Sequence, residues 1–449
     1  MSAGWGGRRV VVAGAGVSGT PAARVLLELG AGVTVVDRAE NAATAELAAA
    51  GAALAIGADS PPPGTELVVT SPGWRPDAPL LVAAAATGIE VIGEVELAWR
   101  LRGPSPAPWL ALTGTNGKTT TVRMLESILR AAGHRAVATG NVGLPVVEAV
   151  RAGYEVLAVE LSSFQLHWSP SLRPAAGAIL NLAPDHVDWH GSYEEYARAK
   201  ERIWAGPDTV AVGNADDSDV AARLAKAPGP QVSFTLSPPG DSRFGVCDGM
   251  LVDGDTELAS AADVRPPGPH NVANALAAAA LARAYEVPPE AVSAGLAAFV
   301  PDRHRNERVA EVGGVAYVDH SKATNPHAAA ASLAAYRPVI WVAGGLLKGA
   351  PVDELVAAVA DRLAGAVLLG ADRAPLRAAI ARHAPDLPVV EVSRTDDGAM
   401  SEVVRAAAAL ARPGDTVLLA PAAASMDMFR DYRARGEAFV AAVRALERV

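Results

Sequence analysis

The sequence predicts an α/β protein of three domains with mostly parallel sheets. Short runs of β-branched residues alternate with alanine-rich stretches along the chain, a pattern typical of parallel strands joined by crossover helices. Two glycine-rich turns each follow a short apolar run, as ligand-binding turns of such sheets do. Two proline-containing breaks, at 101–108 and 299–302, are suited to linkers. They divide the 449 residues into predicted domains 1–104, 105–301 and 302–449.

The composition indicates a globular protein and excludes several other classes. Half of the residues are hydrophobic and 20% are charged, as in ordinary globular domains. A formal net charge of −10 leaves no cationic excess to neutralise a nucleic-acid backbone, so no nucleic-acid partner is expected. The single cysteine, Cys247, excludes an internal disulfide and a cysteine-based metal site. Because no membrane span or signal peptide is recognisable, the sequence predicts a cytoplasmic protein.

The first domain carries a GxGxxG turn between a strand and a helix. The strand Arg9–Ala13 leads into Gly14–Gly19, and the next strand ends at Asp37, roughly 20 positions further on. Such a turn binds a pyrophosphate at a helix N-terminus, while the carboxylate binds a ribose hydroxyl. NAD and a nucleotide-sugar fit equally well, and a turn without a ligand is the alternative. A further turn, Ser71–Gly73, follows a strand at the same sheet edge.

The central domain opens on Leu112–Thr120, a glycine-rich turn that ends in Lys-Thr-Thr at a predicted helix start. Backbone N–H groups of such a turn, with the positive end of the helix, bind phosphate oxygens. Lys118 would add a point charge, and the Thr119 hydroxyl is placed to ligate Mg²⁺. Leu112 stands where the general P-loop pattern has its first glycine. A plain strand-to-helix turn would explain the glycines but not the lysine and the hydroxyls.

Two further strands of the central domain lead into polar residues. One runs straight into Glu160, and the other leads to a segment that contains His186, Asp188 and His190. Oxygen and nitrogen donors beside a phosphate site suit Mg²⁺, and a buried charge such as Glu160 is costly unless it binds something. For Asp188 and His190 a capping or surface role is an equal alternative. Lys200 lies on a predicted helix, where a lysine is normally solvated.

Further candidates lie near the end of the central domain and in the last domain. Asn271 and Asn274 share one helix face at i, i+3 and could hold a base or sugar, with helix capping as the alternative. In the last domain, three strands deliver polar or cationic groups to one edge, in the segments 319–325 and 344–349 and at Ser425. A site for a small anion requires such groups.

Together these segments resemble the Mur ligases of peptidoglycan synthesis, over the whole chain. The resemblance is carried by Gly114–Thr120, the Glu160 and His186 segments, and His270–Asn274. Ser321–Asn325 resembles the members of the family that add D-glutamate. The resemblance implies a Rossmann-like N-terminal domain, a central P-loop-type ATPase domain and a Rossmann-like C-terminal domain.

The resemblance also implies ATP-dependent amide synthesis with Mg²⁺. The carboxylate of UDP-N-acetylmuramoyl-L-alanine would be phosphorylated to an acyl phosphate, and the amine of D-glutamate would then displace the phosphate. The expected partners are therefore small-molecule substrates, and a monomer is the default. Another Mur-type or folylpolyglutamate-type ligase is the alternative. An NAD-dependent oxidoreductase and a regulatory nucleotide-binding protein without turnover are readings from other classes.

Roles for individual residues follow from the same resemblance. The implied catalytic residues are Lys118, Glu160, His186 and Lys200. The implied magnesium ligands are Thr119, Glu160, His186 and Lys200, the last as a carbamate. The implied ATP contacts are Gly114, Thr115, Asn116, Gly117, Lys118, Thr119, Thr120, Asn271, Asn274, Arg305 and His320. The implied contacts of the UDP substrate are Val17, Ser18, Asp37, Arg38, Ser71, Pro72, Gly73, Asn141 and Ser162. The implied D-glutamate contacts are Thr324, Lys348, Ser425 and Tyr432.

Two positions depart from the family pattern. His320 stands where relatives usually carry an aspartate that contacts the nucleotide ribose, and Tyr432 stands where many have phenylalanine. An aspartate accepts two ribose hydroxyls, whereas a neutral histidine accepts one. The sequence therefore predicts either weaker ATP binding or replacement of the missing carboxylate by Asp319.

Overall fold

The computed structural model describes residues 4–241 and 243–446, and within them the chain forms three β-sheets with accompanying helices. The chain divides into two compact units. The first runs to Ala261 and includes Ala273–Phe299, and the second consists of Ala262–Val272 and the chain from Val300 onward. The first two sheets belong to the first unit and the third sheet to the second. In the described part of the chain, no helix is long and apolar enough to cross a membrane.

The first sheet has the strand order β3-β2-β1-β4-β5, and all its pairs are parallel. Its strands are β1 Arg9–Ala13, β2 Gly32–Val36, β3 Ala53–Leu54, β4 Leu67–Thr70 and β5 Glu90–Gly93. Its helices are α1 Gly19–Glu28, α2 Ala42–Ala49, α3 Pro79–Ala86 and α4 Glu94–Arg100. Val10 and Val12 pack into one core, whereas Val11 and Ala13 pack into another. Burial on both faces explains the nearly continuous valine runs of β1 and β2.

The second sheet has nine strands in the order β14-β13-β12-β11-β10-β9-β6-β8-β7. Its strands are β6 Trp109–Thr113, β7 Ala136–Gly140, β8 Val156–Glu160, β9 Ala176–Ile179, β10 Val210–Asn214, β11 Gln231–Phe234, β12 Phe244–Cys247, β13 Met250–Asp253 and β14 Thr256–Ser260. Its helices are α5 Lys118–Ala131, α6 Val146–Ala149, α7 Ser163–His167, α8 Val187–His190, α9 Tyr193–Glu201, α10 Ser218–Leu224, α11 Pro269–Ala284 and α12 Pro289–Ala298. Only the pairs β12–β13 and β13–β14 are antiparallel.

The stretch from 206 to 267 is rich in Asp, Pro and Gly and has weak periodicity, a composition that predicts irregular loops and short strands. The short strands are present. Five of them, β10 to β14, extend the second sheet from β9 outward. Each has only four or five residues, which explains why the hydrophobic pattern of this stretch is weak.

The third sheet has the order β15-β16-β20-β17-β18-β19, and only β15–β16 is antiparallel. Its strands are β15 Glu307–Val312, β16 Val315–Asp319, β17 Val339–Gly344, β18 Leu363–Leu369, β19 Val389–Glu391 and β20 Thr416–Leu419. Its helices are α13 Pro326–Leu333, α14 Asp353–Val359, α15 Arg373–His383, α16 Ala399–Leu410 and α17 Tyr432–Leu446. Trp341 and Val342, which are neighbours in β17, pack into different cores, so both faces of this sheet are covered.

Helix α4, which follows the last strand of the first sheet, forms hydrogen bonds with segments of the second sheet's region. Glu94 accepts a hydrogen bond from the backbone N–H of Val147 at 2.6 Å, and Glu96 accepts one from Ser171 N at 3.1 Å. Both glutamates are buried. These contacts explain why the first two sheets share one compact unit, while the domain boundaries predicted at residues 104 and 301 stay predictions.

Replacing Glu94 by glutamine is expected to stabilise the protein at alkaline pH. Burial raises the pKa of Glu94 from 4.5 to about 7, so between these pH values the folded chain binds one more proton than the unfolded chain. Stability therefore falls as the pH rises through this window, by roughly 3 kcal/mol in total. Glutamine can still accept from Val147 N without ionising. Thermal melts should show a higher Tm for E94Q than for the wild type at pH 8.5, and equal values near pH 4.5.

Glu96 provides the matched control for this measurement. It is also buried, but it is paired with Arg100 at 2.8 Å. E96Q removes that ion pair and should lower Tm at both pH values, because Arg100 then keeps only its more exposed partner, Glu90. A wild type and E94Q that melt alike at pH 8.5 would contradict the role given to Glu94.

Candidate active site

The predicted phosphate turn lies between β6, which ends at Thr113, and α5, which begins at Lys118. Gly117 has a φ of +84°, and a Cβ there would lie 2.4 Å from Oδ1 of Asn274, so the position requires glycine. The Lys118 ammonium donates to the carbonyl oxygens of Gly114 and Thr115, at 2.9 Å in both cases. The turn thus combines a helix N-terminus with a lysine held over it, as binding of a phosphate chain requires.

Two residues that are not among the predicted site residues, Asn181 and Tyr196, hold this turn in shape. The Asn181 side chain accepts from Asn116 N at 2.8 Å and donates to Asn116 O at 3.1 Å. The hydroxyls of Tyr196 and Thr115 lie 2.8 Å apart. Asn181 follows the end of β9, and this position at the carboxyl edge of a buried strand was the signal that could have found it. Nothing in the sequence distinguishes Tyr196 from an ordinary core residue of α9.

Glu160 ends β8 and is only 1% exposed. Its Oε1 accepts from Nδ2 of Asn141 at 2.9 Å. Its Oε2 is buried and has no hydrogen-bond partner among the described residues. A buried carboxylate oxygen without a donor is costly, and a cation would remove that cost. Glu160 therefore fits its predicted role as a magnesium ligand, and Asn141 lies against the same carboxylate.

Lys200 is 1% exposed, so the expectation of an ordinary solvated lysine is wrong. Its Nζ donates to Gly114 O at 2.9 Å and to Thr113 Oγ1 at 3.2 Å, directly beneath the phosphate turn. Burial, assisted by the positive charge of Lys118, lowers the pKa of Lys200 well below its usual value. The carboxylates of Asp185 and Glu160 act on it in the opposite direction. The site thus favours an uncharged amine at this position.

His186 precedes α8 in a left-handed conformation, with a φ of +52°. Its Nε2 lies 3.5 Å from Oδ2 of Asp185, and its ring packs against Phe164 with the centroids 4.7 Å apart and the planes tilted by 55°. In the part of the chain that the structure describes, no hydrogen bond or ion pair joins His186 to Glu160. The magnesium role of His186 therefore stays a prediction. For His190 the sequence left a site role and a capping or surface role open. Its ring hydrogen-bonds to the Ser163 hydroxyl at 2.9 Å, and burial lowers its pKa to about 4.

The two asparagines of α11 have different surroundings. Asn274 lies against Gly117 in the phosphate turn. Asn271 donates to Pro267 O, just before the helix, at 3.3 Å. Their proposed contacts with ATP stay predictions.

At the edge of the first sheet, three predicted segments come together. Gly14 has a φ of +93°, and a Cβ there would lie 2.9 Å from Oγ of Ser71. A Cβ on Gly19 would lie 1.8 Å from Gly14 O, so the helix packs directly on the turn. Asp37 fastens the same turn by accepting from Ala15 N at 2.8 Å. The glycine turn, the carboxylate and the Ser71 turn therefore form one edge, as expected of a nucleotide site.

Other residues predicted to contact the UDP substrate differ in their surroundings. Val17 is 86% exposed, and Arg38 donates its backbone N–H to Asp37. Ser162 caps α7 by accepting from Gln165 N at 3.2 Å. Ser162 thus has a structural role besides the predicted one.

In the second unit, a buried histidine and a buried aspartate pair beside two predicted ATP contacts. His304 Nδ1 lies 2.6 Å from Asp319 Oδ2, and this bond raises the pKa of His304. Asp319 Oδ1 accepts from Ser321 N at 2.8 Å. A Cβ on Gly436 would lie 2.2 Å from His304 Nδ1, so this glycine makes the close packing possible. With both oxygens engaged and the side chain fully buried, Asp319 does not replace the carboxylate missing at position 320.

His320 follows β16 with a partly buried ring. Its Nδ1 is shielded from solvent and has no hydrogen-bond partner among the described residues. Burial, with smaller contributions from His270, Arg305 and Lys322, lowers the pKa of His320 to about 3. The side chain is therefore neutral at physiological pH and faces two cations.

The segments predicted to bind D-glutamate are joined by backbone bonds. Leu346 and Ala424 exchange two hydrogen bonds, at 2.8 and 2.9 Å. This pairing brings the loop of Lys348 beside the loop of Ser425. Lys348 has a φ of +54° and Ser425 is buried.

Models of three protein domains match the chain. Residues 8–93 match the N-terminal domain of MurD-like Mur ligases, and 112–282 match the Mur ligase middle domain. Residues 304–423 match the Mur ligase glutamate ligase domain. The chain belongs to the Mur ligase family. The resemblance inferred from its motifs is confirmed.

Mur ligases named for one reaction are similar to the chain over its whole length. A UDP-N-acetylmuramoylalanine–D-glutamate ligase from Thermobifida fusca is 59% identical over 461 residues, covering 98% of this chain and 99% of the relative. The enzyme of that name from Streptomyces avermitilis is 57% identical over 462 residues with the same coverage. The structure of UDP-N-acetylmuramate–alanine ligase from Thermotoga maritima matches with a TM-score of 0.59 at 18% identity, over 98% of this chain and 99% of that one. The fold is thus the three-domain Mur ligase fold with mostly parallel sheets, as predicted.

Proposed function

We propose that this Mur ligase joins D-glutamate to UDP-N-acetylmuramoyl-L-alanine, with hydrolysis of ATP to ADP and phosphate, in the synthesis of peptidoglycan precursors. The observation that carries the proposal is identity above 50%, over nearly the full length, with relatives named for this reaction. The Ser-Lys-Ala-Thr-Asn segment at 321–325 supports the same amino-acid specificity.

The first chemical step transfers the γ-phosphoryl group of ATP to the substrate carboxylate, forming an acyl phosphate and releasing ADP. Because both reactants are anions, the step depends on positioning and on neutralisation of charge. Lys118 and the N-terminus of α5 supply these at the phosphate turn. In the second step the amine of D-glutamate attacks the acyl carbon, loses a proton and displaces inorganic phosphate.

Mg²⁺ is implied by the family, and the residues present fit it. The partnerless Oε2 of Glu160 offers a buried anionic ligand, and Thr119 lies in the first turn of α5. When bound, the ion neutralises charge on the phosphate chain. His186 is proposed as a further ligand.

Lys200 is proposed to act as a carbamate. An uncharged amine attacks the carbon of CO₂ and loses a proton, which turns the lysine into an anionic oxygen ligand. The lowered pKa of Lys200 supports this, because it favours the reactive amine. After incubation with ¹³C-bicarbonate, NMR should show a carbamate signal that K200M lacks.

Phosphate release with UDP-N-acetylmuramoyl-L-alanine, ATP and Mg²⁺ tests the proposed function directly. D-glutamate, L-glutamate, D-alanine and L-lysine are supplied in parallel. Turnover with D-glutamate alone is expected. Turnover with another amino acid would move the specificity toward the other Mur-type or folylpolyglutamate-type ligases, and no turnover would leave a nucleotide-binding protein. The alternative of an NAD-dependent oxidoreductase leaves the phosphate turn and Lys118 without a role. A monomer in the cytoplasm is proposed from the sequence alone.

Replacing His320 by aspartate is expected to lower the KM for ATP by about tenfold, corresponding to about 1.4 kcal/mol. The neutral ring faces Arg305 and Lys322, so a carboxylate there would gain from both cations and could accept two ribose hydroxyls. Initial rates at varied ATP give the comparison. H320N is the control, since it shortens the side chain without adding charge and should not improve the KM. An unchanged or higher KM for H320D would refute the ribose argument.

A further inference from the structure

Arg435 in α17 carries a guanidinium that is 1% exposed and lies outside the predicted site. Its Nε donates to Ser321 Oγ at 3.0 Å, its Nη2 to Ser321 O at 2.8 Å, and its Nη1 to Ala423 O at 3.0 Å. Among the described residues, no carboxylate forms an ion pair with it. A buried guanidinium held mainly by neutral acceptors is costly, so its presence calls for a reason.

The acceptors of Arg435 lie on two loops that carry candidate D-glutamate residues. Ser321 precedes Thr324 in one loop, and Ala423 precedes Ser425 in the other. The Ser321 hydroxyl also donates to the carbonyl oxygen of Tyr432, at 2.7 Å. One side chain therefore connects the segments of three of the four predicted contacts.

The fourth segment, which carries Lys348, is connected to Arg435 indirectly, through backbone hydrogen bonds. Ala424, next to the acceptor Ala423, exchanges backbone hydrogen bonds with Leu346, two residues before Lys348. Burial lowers the pKa of Arg435 only to about 10, so the group stays cationic, and the charges of Asp427 and Asp319 favour that state. The planar fork of arginine can bridge two loops in a fixed geometry, which the point charge of a lysine cannot.

We propose that Arg435 is a positioning residue that sets the geometry of the amino-acid pocket by fixing the loops of Thr324 and Ser425 against α17. The inference rests on the proposed function, because that function assigns Thr324, Lys348, Ser425 and Tyr432 to D-glutamate. Arg435 is too deeply buried to touch the substrate. Its effect is transmitted through Ser321 and Ala423.

The test compares R435K and S321A with the wild type in the full-length protein, with KM measured separately for D-glutamate, ATP and the UDP substrate. R435K should raise the KM for D-glutamate by about tenfold, since it removes the fork and loses at least one bond. The other two KM values should stay within about twofold. S321A should shift the same KM in the same direction by less, and it remains informative if R435K folds poorly.

R444K is the matched control, because Arg444 is an exposed arginine of the same helix and should leave all three KM values unchanged. A purely structural role would lower Tm and kcat while leaving KM for D-glutamate unchanged, and this result would overturn the proposal. If the wild type uses another amino acid, the proposed function fails, but a selective rise in the KM for that amino acid still supports the positioning role. Equal rises in all three KM values would refute it.

Discussion

Alanine in place of Lys118 is expected to lower the rate of ligation by about 10²–10³-fold or more, without weakening binding of the UDP substrate. The ammonium of Lys118 is held over the phosphate turn by two carbonyl oxygens, so its removal leaves the reacting phosphoryl group without that charge. The proposed UDP site lies at the edge of another sheet, around Asp37 and Ser71. Phosphate release measures the first effect, and calorimetric titration with the UDP substrate measures the second.

Lys226 offers a control for this substitution. It is an exposed lysine of the same compact unit, and K226A should match the wild type in both measurements. Loss of both turnover and UDP-substrate binding in K118A would contradict the proposal that ATP and the UDP substrate bind at separate sites.

Glutamine in place of Glu160 is expected to raise stability and lower activity together. Without metal, the wild-type carboxylate keeps a buried oxygen that has no partner among the described residues, and the amide removes that buried charge. The amide oxygen can still accept from Asn141. We expect a higher Tm in the presence of a chelator, a fall in kcat of about 10²-fold, and a higher Mg²⁺ requirement.

Glu126 separates this effect from the general loss of a buried carboxylate. It is also buried, but it pairs with Arg123 at 2.9 Å and with Arg130 at 2.6 Å. E126Q should therefore lower Tm and leave the Mg²⁺ dependence unchanged. If E160Q also lowered Tm in chelator and kept the wild-type Mg²⁺ dependence, Glu160 would not be a metal ligand.

Much of the fold could be predicted because the apolar runs of the sequence match the burial of the strands in the sheets. Strands such as Arg9–Ala13 are short valine runs that are buried on both sides, and a glycine-rich turn follows directly. Where the strands are short and separated by turns rich in Asp, Pro and Gly, as between 206 and 267, the pattern predicted only their presence. Their place in the second sheet depends on pairing between strands distant in sequence, which no local window contains.

The motifs of the candidate site were also visible locally, because a phosphate turn must place glycines, a lysine and hydroxyls within a few residues. The same is true of Glu160, which the sequence puts at the end of a buried strand. The partners that hold these residues were not visible. Asn181 contacts the turn from 65 residues away, and Tyr196 from 81.

The sequence by itself determined the α/β class, the family and the positions of the main motifs, since each depends on residues close together in the chain. Only the tertiary structure decided which polar groups are buried and what they bond to. Lys200 changes from an ordinary helix lysine to an amine of lowered pKa because the second sheet and the phosphate turn cover it. Asp319 turns inward to His304, and Arg435 joins two loops, for the same physical reason. Desolvation and long-range hydrogen bonds arise only when distant segments pack together.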